Sequence, residues 1–253
     1  MRLDDDLGTE TWYNRRNSLD MAGMNNLRFR PTTTKCIREI FSNLDYKGLG
    51  SIYCEEGGEA FWKERRKPCE NKGITMAKAL KALLSPTGRS LYVGAGVAEI
   101  PCLVMERLEL GREVFPYNLR KGEVAILNRG CQDVPLTFFP EKAESAPGQF
   151  DHLWMVSVLN DPERFPELSS LSYNRADPIR FNPTVFKKER DTVFELTESC
   201  MMKLTRPALV STSVEEQHWI SHWCETHRVP FIIHRQIYPT ALVGDPVCFI
   251  QIG

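Results

Sequence analysis

The amino-acid sequence predicts an α/β protein with a doubly wound, mostly parallel sheet of seven strands and an N-terminal helical extension. Two observations predict this fold. From residue 88 onward, short apolar segments with strand patterns alternate with helical patterns, as in parallel sheets that carry helices on both faces. The last two predicted strands break the alternation, because the segment between them is too short for a crossover helix. The last strand should therefore be antiparallel, and the sheet should end in a hairpin.

The helical extension is predicted to comprise residues 1–84, and the sheet domain residues 85–253. Residues 1–30 are acidic at first and then rich in Asn and Arg, and they are expected to pack poorly. Ser85-Pro86 ends the last helix of the extension, because the residue before a proline avoids the helical conformation. Three segments of the extension have helical patterns: Lys35–Leu44, Glu59–Lys67 and Thr75–Leu84.

Seven short segments of the domain have strand patterns. The predicted strands are Ser90–Val93, Glu113–Tyr117, Val134–Phe139, Asp151–Val158, Ala208–Ser211, Pro230–Ile237 and Val247–Ile252. The fourth is almost entirely apolar after His152, as expected of a strand that is buried on both faces of a sheet. The helices between the strands are predicted at residues 97–108, 120–128, 186–204 and 214–227. The segment Asp161–Thr184 is longer than a plain connection, and loops of this length usually carry function.

Composition and charge indicate an ordinary globular protein. Apolar residues make up 42% of the 253 residues and the formal net charge is −1, so no overall charge attracts the chain to nucleic acid or to a membrane. The eight cysteines form no Cys-x-x-Cys pair, and the chain has neither a signal-peptide pattern nor an apolar run of about 18 residues. We therefore expect a reduced, cytoplasmic protein without a membrane partner.

The first predicted strand runs into a Gly-x-Gly turn that opens into a helix, within the segment Tyr92–Glu99. Glycines let a ligand approach the backbone closely, and the N–H groups at the start of a helix can point at it. This arrangement suits a nucleotide-like ligand. A nicotinamide-binding protein matches less well, because its motif has a third glycine where this chain has Glu99.

The turn resembles the first sequence motif of the class I S-adenosylmethionine-dependent methyltransferases. Gly94 and Gly96 match the first two glycines of that motif, and Ala98 takes the place of the third. The resemblance covers residues 88–253 and includes the seven predicted strands and the closing hairpin. It implies that Gly94, Ala95 and Gly96 wrap the methionine part of S-adenosylmethionine, and that the protein transfers a methyl group.

Two positions depart from the motif of that family. Tyr92 replaces the acid that usually lies two residues before the first glycine, and Asn118 replaces the acid at the end of the second strand. In the family these acids help to hold the amino group and the ribose of the cofactor. Both residues are retained as predicted cofactor contacts, since Asn118 can still accept a hydrogen bond from a ribose hydroxyl. Glu99 is the candidate that replaces the missing partner of the amino group.

The resemblance also implies cofactor and acceptor contacts after the third and fourth predicted strands. Glu141 is the candidate contact of the adenine amino group, and Ser157 and Val158 are candidate cofactor contacts. Asp161 and Tyr173 are candidates for orienting the acceptor or removing its proton. The acceptor is expected to be a polar molecule of small or medium size. Nucleic acid is not indicated, and no metal is predicted.

Three alternatives stay open. The missing acids suit a protein of the same fold that has lost catalysis and serves as a binding or scaffolding subunit. A second alternative is the transfer of a different group, such as an aminopropyl group, from the same type of cofactor. A metal site is the third, since His218 and His222 lie four residues apart on a predicted helix, but Cys224 should face away from them.

Overall fold

A computed structural model describes residues 28–53, 57–242 and 244–253. The expectation for residues 1–30 therefore lies almost wholly outside the described part of the chain, and so does Cys54. Among the described helices, none is both long enough and apolar enough to cross a membrane.

Within the described residues, three helices precede the sheet. They are α1 (Pro31–Asn43), α2 (Tyr46–Ile52) and α3 (Gly58–Leu83). Helix α3 joins two helices that the sequence predicts separately, and Pro68 lies inside it. Its side chains Trp62, Cys69 and Leu80 are buried in a core that the three helices share with the sheet domain. Burial of this apolar face outweighs the low helix propensity of the segment around Pro68.

One sheet runs through the domain in the order β2-β1-β3-β4-β6-β5. Its strands are β1 (Arg89–Val93), β2 (Glu113–Tyr117), β3 (Phe150–Met155), β4 (Leu204–Ser213), β5 (Phe231–Ile233) and β6 (Val247–Ile252). The first four strands are parallel, whereas β6 is antiparallel to both β4 and β5. The predicted parallel sheet that ends in an antiparallel hairpin is confirmed.

The predicted strand Val134–Phe139 is not formed, so the sheet has six strands within the described residues instead of the seven predicted. Only Phe139 reaches β2, through a single parallel bridge to Tyr117. The side-chain amide of Asn128 accepts a hydrogen bond from the Phe138 N–H (2.7 Å) and donates one to the Phe138 carbonyl (3.0 Å). The N–H groups of Val134 and Leu136 donate to the carbonyls of Cys131 (2.9 Å) and Val134 (2.7 Å), and Pro135 has no N–H. The segment therefore forms local turns instead of a strand paired with β2.

Helices cover both faces of the sheet. They are α4 (Ile100–Met105), α5 (Lys121–Gly130), α6 (Pro166–Ser172), α7 (Pro183–Met201) and α8 (Gln217–Thr226). A 3₁₀ turn (Val97–Glu99) precedes α4 and a π-helical turn (Glu106–Leu110) follows it. Side chains alternate along β1: Tyr92 faces the core shared with the N-terminal helices, whereas Leu91 and Val93 face the core shared with α7 and α8.

A network of buried charged and polar side chains lies beside β1. Arg112 is fully buried, and it donates hydrogen bonds to Glu106 Oε2 (2.9 Å) and Asp151 Oδ2 (3.1 Å). Glu106 also accepts a hydrogen bond from the Tyr92 hydroxyl (2.6 Å), and its Oε1 lies 3.2 Å from His152 Nδ1. Burial opposes ionisation of Glu106, but the interactions with the neighbouring His152 and Arg112 outweigh burial and lower the pKa of the carboxyl. Glu106 is therefore an ionised group of the folded core.

Candidate functional site

A cavity of about 770 Å³ opens at the carboxyl ends of β1, β2 and β3. Open α/β sheets bind ligands at this edge, and the volume is typical of sites for small molecules and cofactors. The segments that follow these strands form most of its wall, and Tyr53 from the end of α2 contributes to it. The predicted site residues on this wall are Gly94, Gly96, Glu99, Asn118, Glu141, Ser157, Val158, Asp161 and Tyr173.

The Gly-x-Gly turn after β1 has no room for side chains. Gly94 has a φ of +71°, and a Cβ there would lie 2.9 Å from Val158 Cγ2. A Cβ at Gly96 would lie 2.9 Å from Glu123 Oε1. Glycine is therefore required at Gly94 by both conformation and space. Ala95, between the two glycines, is fully buried in the core and is not on the wall. Its N–H donates to the Tyr117 carbonyl (2.9 Å) and its carbonyl accepts from Asn118 (2.9 Å), so it does not lie where the predicted cofactor contact requires.

Glu99 is a partly buried carboxyl directly beside this turn. Its Oε2 accepts a hydrogen bond from the backbone N–H of Gly96 (2.8 Å). Burial raises the pKa of Glu99 to about 7, although the hydrogen bonds from Gly96 and Trp154 favour the ionised form. The carboxyl therefore titrates near neutral pH. In its ionised form it can pair with a cationic group of a ligand.

Asn118 connects the turn to the following helix. Its Nδ2 donates hydrogen bonds to the Ala95 carbonyl (2.9 Å) and to Glu123 Oε2 (3.2 Å). Its Oδ1 accepts a hydrogen bond from the Arg120 N–H (2.8 Å). The oxygen and the nitrogen of the amide are thus both hydrogen-bonded within the protein. Little hydrogen-bonding capacity remains for the ribose contact predicted for Asn118.

Glu123 is a second carboxyl of the site, and unlike Glu99 it is almost fully buried; the sequence predictions do not include it. It lies in the first turn of α5 and on the cavity wall, and Tyr53 and Asn118 donate hydrogen bonds to it. Burial raises its pKa, whereas the hydrogen bond from Tyr53 opposes the shift. A sequence signal was present, since Glu123 shares a helix face with Leu127, four residues later, where an apolar residue is expected.

Tyr92 is not on the cavity wall, which corrects its prediction as a cofactor contact. Its ring is fully buried and stacks on Trp154 with 5.3 Å between the ring centroids. Its hydroxyl donates a hydrogen bond to Glu106. Because side chains alternate along β1, the residue two positions before Gly94 projects into the core beneath the N-terminal helices.

The loop after β3 is held by a carboxylate from a distant part of the chain. Glu216, just before α8, is fully buried and accepts hydrogen bonds from the backbone N–H groups of Ser157 (2.7 Å), Val158 (2.5 Å) and Leu159 (2.5 Å). Ser157 has a φ of +56°, a conformation that a residue with a side chain rarely adopts. Three hydrogen bonds to one buried carboxylate therefore stabilise a strained loop on the cavity wall.

Replacing Glu216 with Ala should destabilise the fold. The substitution leaves three buried N–H groups without an acceptor, and we expect the free energy of unfolding to fall by about 2–4 kcal/mol. For a domain of this size that corresponds to a melting temperature roughly 5–10 °C lower in thermal unfolding followed by circular dichroism. Glu225→Ala changes an exposed carboxylate on α8 and should melt as the wild type does. Equal melting of the two variants would contradict the role of Glu216.

Tyr173 and Asp161 lie on the part of the wall that follows β3. The Tyr173 hydroxyl donates a hydrogen bond to Asp245 and accepts one from Asn160 Nδ2 (3.0 Å). Burial and the neighbouring Asp245 raise the pKa of Tyr173, which disfavours the phenolate that proton removal would need. These contacts favour the orientation of Asn160 as its role. Asp161 Oδ1 accepts the Glu163 N–H (3.0 Å), and burial raises the pKa of Asp161.

The other predicted groups are less constrained. Glu141 is an exposed carboxylate on the wall, and Ser145 Oγ lies 3.4 Å from its Oε2. In the part of the chain that the structure describes, no group of three or more side chains could hold a metal ion. Cys224 is buried whereas His222 is exposed, so the two do not share a face of α8.

Solved structures of methyltransferases resemble this chain. Magnesium protoporphyrin IX methyltransferase (ChlM) from Synechocystis PCC 6803, solved with bound S-adenosylmethionine, is 13% identical with a TM-score of 0.50, and the match covers 83% of this chain and 98% of ChlM. An rRNA methylase from Escherichia coli is 15% identical with a TM-score of 0.45, over 98% of this chain and 85% of the methylase. The 16S rRNA methylase RmtB is 14% identical with a TM-score of 0.43, over 97% and 84% of the two chains.

The match to ChlM establishes the fold: the chain has the class I methyltransferase fold that the Gly-x-Gly turn and the closing hairpin predict. No known family profile matches the chain, and no curated protein matches it significantly. The expectation of a small-molecule acceptor with no indication of nucleic acid is contradicted, because two of the matching structures are named for rRNA. Net charge alone therefore does not exclude a nucleic-acid acceptor.

Proposed function

We propose that this chain is an S-adenosylmethionine-dependent methyltransferase whose cofactor binds in the cavity beside the Gly-x-Gly turn. The observation that carries the proposal is the cradle at Gly94 and Gly96. A Cβ at either position would collide with another residue of the wall, and the partly buried Glu99 carboxyl accepts a hydrogen bond from the Gly96 N–H (2.8 Å). A turn without side chains lets a ligand approach the backbone closely, and the carboxyl offers a partner for an ammonium group.

The residues of the cavity fit the separate parts of this cofactor. Glu99 is placed to hold the amino group, next to the backbone of Gly96. For the ribose we assign the Glu123 carboxylate in place of Asn118, whose amide is already hydrogen-bonded at both ends. A carboxylate can accept both hydroxyls of a ribose at once, which an amide oxygen does less strongly.

The remaining assignments follow from position on the wall. Glu141 is the candidate contact of the adenine amino group. Ser157 and Val158 line the cavity next to Gly94, and their backbone is held by Glu216. Ser157 Oγ is buried without a hydrogen-bond partner among the described residues, so it is available to a ligand.

S-adenosylmethionine supplies a methyl group that is activated by its positively charged sulfur. The chain's own contribution is to hold the acceptor atom in line with that group, and positioning of this kind provides most of the rate. The Asn160 amide is oriented by Tyr173, which is itself hydrogen-bonded to Asp245. Asp161 is the candidate base for an acceptor that must lose a proton, because its raised pKa brings the carboxyl closer to neutral pH.

Titration calorimetry with S-adenosylhomocysteine at pH 6.0 and pH 7.5 tests the proposal. We expect binding at both values and an affinity roughly eightfold higher at pH 7.5, because a carboxyl with a pKa of about 7 ionises over this range. The amino group of the ligand is that of a free amino acid and stays cationic over this range, so the gain comes from Glu99 losing its proton. Glu99→Gln should bind more weakly and show no such pH dependence.

Glu144→Gln is the matched control, since it changes another carboxylate on the wall that has no assigned role. It should keep the pH dependence of the wild type. Absence of binding at both pH values would overturn the proposed function and favour a binding or scaffolding protein. Binding by the wild type that does not vary with pH would overturn only the assignment of Glu99.

A further inference from the structure

Tyr53 occupies the open side of the Glu123 carboxylate. Its hydroxyl lies 3.1 Å from Oε1 and 3.1 Å from Oε2. Burial and the negative charge of Glu123 raise the pKa of Tyr53, so the phenol keeps its proton and is the donor. A single hydroxyl thus sits symmetrically between the two oxygens, in the place where a pair of ligand hydroxyls would bind one oxygen each.

The carboxylate fork lies inside the proposed cofactor site. Glu123 Oε1 is 2.9 Å from the position of a Cβ on Gly96, and Oε2 accepts a hydrogen bond from Asn118. Tyr53, Glu123 and Gly96 all line the same cavity. The Tyr53 hydroxyl is therefore at the position where a ligand would compete for the carboxylate.

Aromatic packing holds the ring of Tyr53 independently of its hydroxyl. The ring stacks on Phe61, with 6.0 Å between the ring centroids, and meets the edge of Trp62. The Arg120 guanidinium lies 4.9 Å from the ring centre and pairs with Glu163 (2.6 Å), and it also interacts with the Tyr53 hydroxyl. The contacts with Phe61 and Trp62 do not need the hydroxyl, so the ring can stay packed when the hydroxyl gives up Glu123.

We propose that Tyr53 is an internal competitor of the ligand: its hydroxyl gives up the Glu123 carboxylate when the vicinal hydroxyls of a nucleoside bind there. This inference rests on the proposed function, because it takes the ribose of the cofactor as the incoming group. The exchange involves hydrogen bonds only. A ligand that binds in the cavity therefore displaces the Tyr53 hydroxyl at the end of α2. This competition lowers the affinity for the cofactor.

Calorimetry on Tyr53→Phe with three ligands tests the exchange. The substitution keeps the ring and removes the competing hydroxyl, so affinity for S-adenosylhomocysteine and for adenosine should rise about fivefold, the equivalent of one hydrogen bond. Affinity for 2′,3′-dideoxyadenosine should not change, because this ligand has no hydroxyls for Glu123. In the background of Glu123→Gln, the gain from Tyr53→Phe should disappear.

Tyr46→Phe is the matched control. Tyr46 is the first residue of α2 and, like Tyr53, lies beside Trp62. Its hydroxyl donates a hydrogen bond to the Phe41 carbonyl (2.7 Å), and Tyr46 is not on the cavity wall. All three affinities should equal those of the wild type in this variant. Circular dichroism of each variant confirms that the helices are retained.

The outcomes separate this inference from the proposed function. If the wild type binds S-adenosylhomocysteine and Tyr53→Phe binds it equally or more weakly, the competition is disproved while the function stands. If neither the wild type nor Tyr53→Phe binds S-adenosylhomocysteine or adenosine, the proposed function fails and the inference with it. Binding by Tyr53→Phe alone would support the inference in its strongest form, with Tyr53 excluding the ligand.

Discussion

Gly94→Ala is expected to lower the affinity for S-adenosylhomocysteine about 100-fold, because a displacement of about 1 Å at a positioned site has effects of this size. The new Cβ would lie 2.9 Å from Val158 Cγ2, and Gly94 and Val158 both line the cavity. The turn and the loop after β3 must therefore move apart. Calorimetry on the purified variant measures the loss of affinity, and thermal unfolding measures the cost to the fold.

Gly111→Ala separates the effect on the ligand from the effect on the backbone. Gly111 has a φ of +66°, close to the +71° of Gly94, but a Cβ there would meet nothing within 4 Å and the residue is not on the cavity wall. Both variants should lose about 1–2 kcal/mol of stability through the left-handed conformation. Only Gly94→Ala should bind S-adenosylhomocysteine with a lower affinity than the wild type. Equal affinities in the two variants would remove the Gly-x-Gly turn from the cofactor site.

Arg112→Met is expected to lower the free energy of unfolding by about 3–5 kcal/mol, since removing one member of a buried ion pair leaves the other charge uncompensated. Arg112 and Glu106 are both fully buried, and Arg112 also donates to the Ser85 carbonyl (2.7 Å). Methionine fills a similar volume but makes none of these hydrogen bonds. Thermal unfolding should show a melting temperature lower by roughly 10 °C.

Arg129→Met provides the comparison for this prediction. The Arg129 side chain is 69% exposed and lies 3.8 Å from Asp45, so its replacement should change stability by less than about 0.5 kcal/mol. Adding Glu106→Gln to Arg112→Met should restore part of the lost stability, because the neutral amide needs no counter-charge. No difference between the Arg112 and Arg129 variants would show that the buried network does not stabilise the core.

Elements that are predicted from a few adjacent residues agree with the structure. Strand β2 has the predicted bounds, Glu113–Tyr117, and the terminal hairpin follows from the short connection before β6. The strand predicted at Val134–Phe139 fails because the N–H groups of Val134 and Leu136 donate to carbonyls of the same loop, those of Cys131 and Val134. The apolar residue pattern does not reveal these turns.

Some predicted site residues are placed by their spacing in the sequence, whereas others depend on which face of a strand they occupy. Gly94, Gly96 and Glu99 lie together on the wall because they are neighbours in one turn, where sequence spacing determines distance. Tyr92 is adjacent in sequence, yet the alternation of side chains in β1 turns it into the core. Its assignment came from aligning a motif position, which carries no information about the face of the strand.

The sequence by itself determined the order of strands and helices, the antiparallel end of the sheet and the glycine turn, since each depends on periodicity or on a few adjacent residues. Only the tertiary structure decided which carboxyls serve the cavity. Glu123 reaches it from inside a helix, with Tyr53 of α2 as its partner, and Glu216 holds Ser157 from 59 residues away in the chain. Burial creates these contacts and the raised pKa values that accompany them, and burial is a property of packed elements that no short stretch of sequence contains.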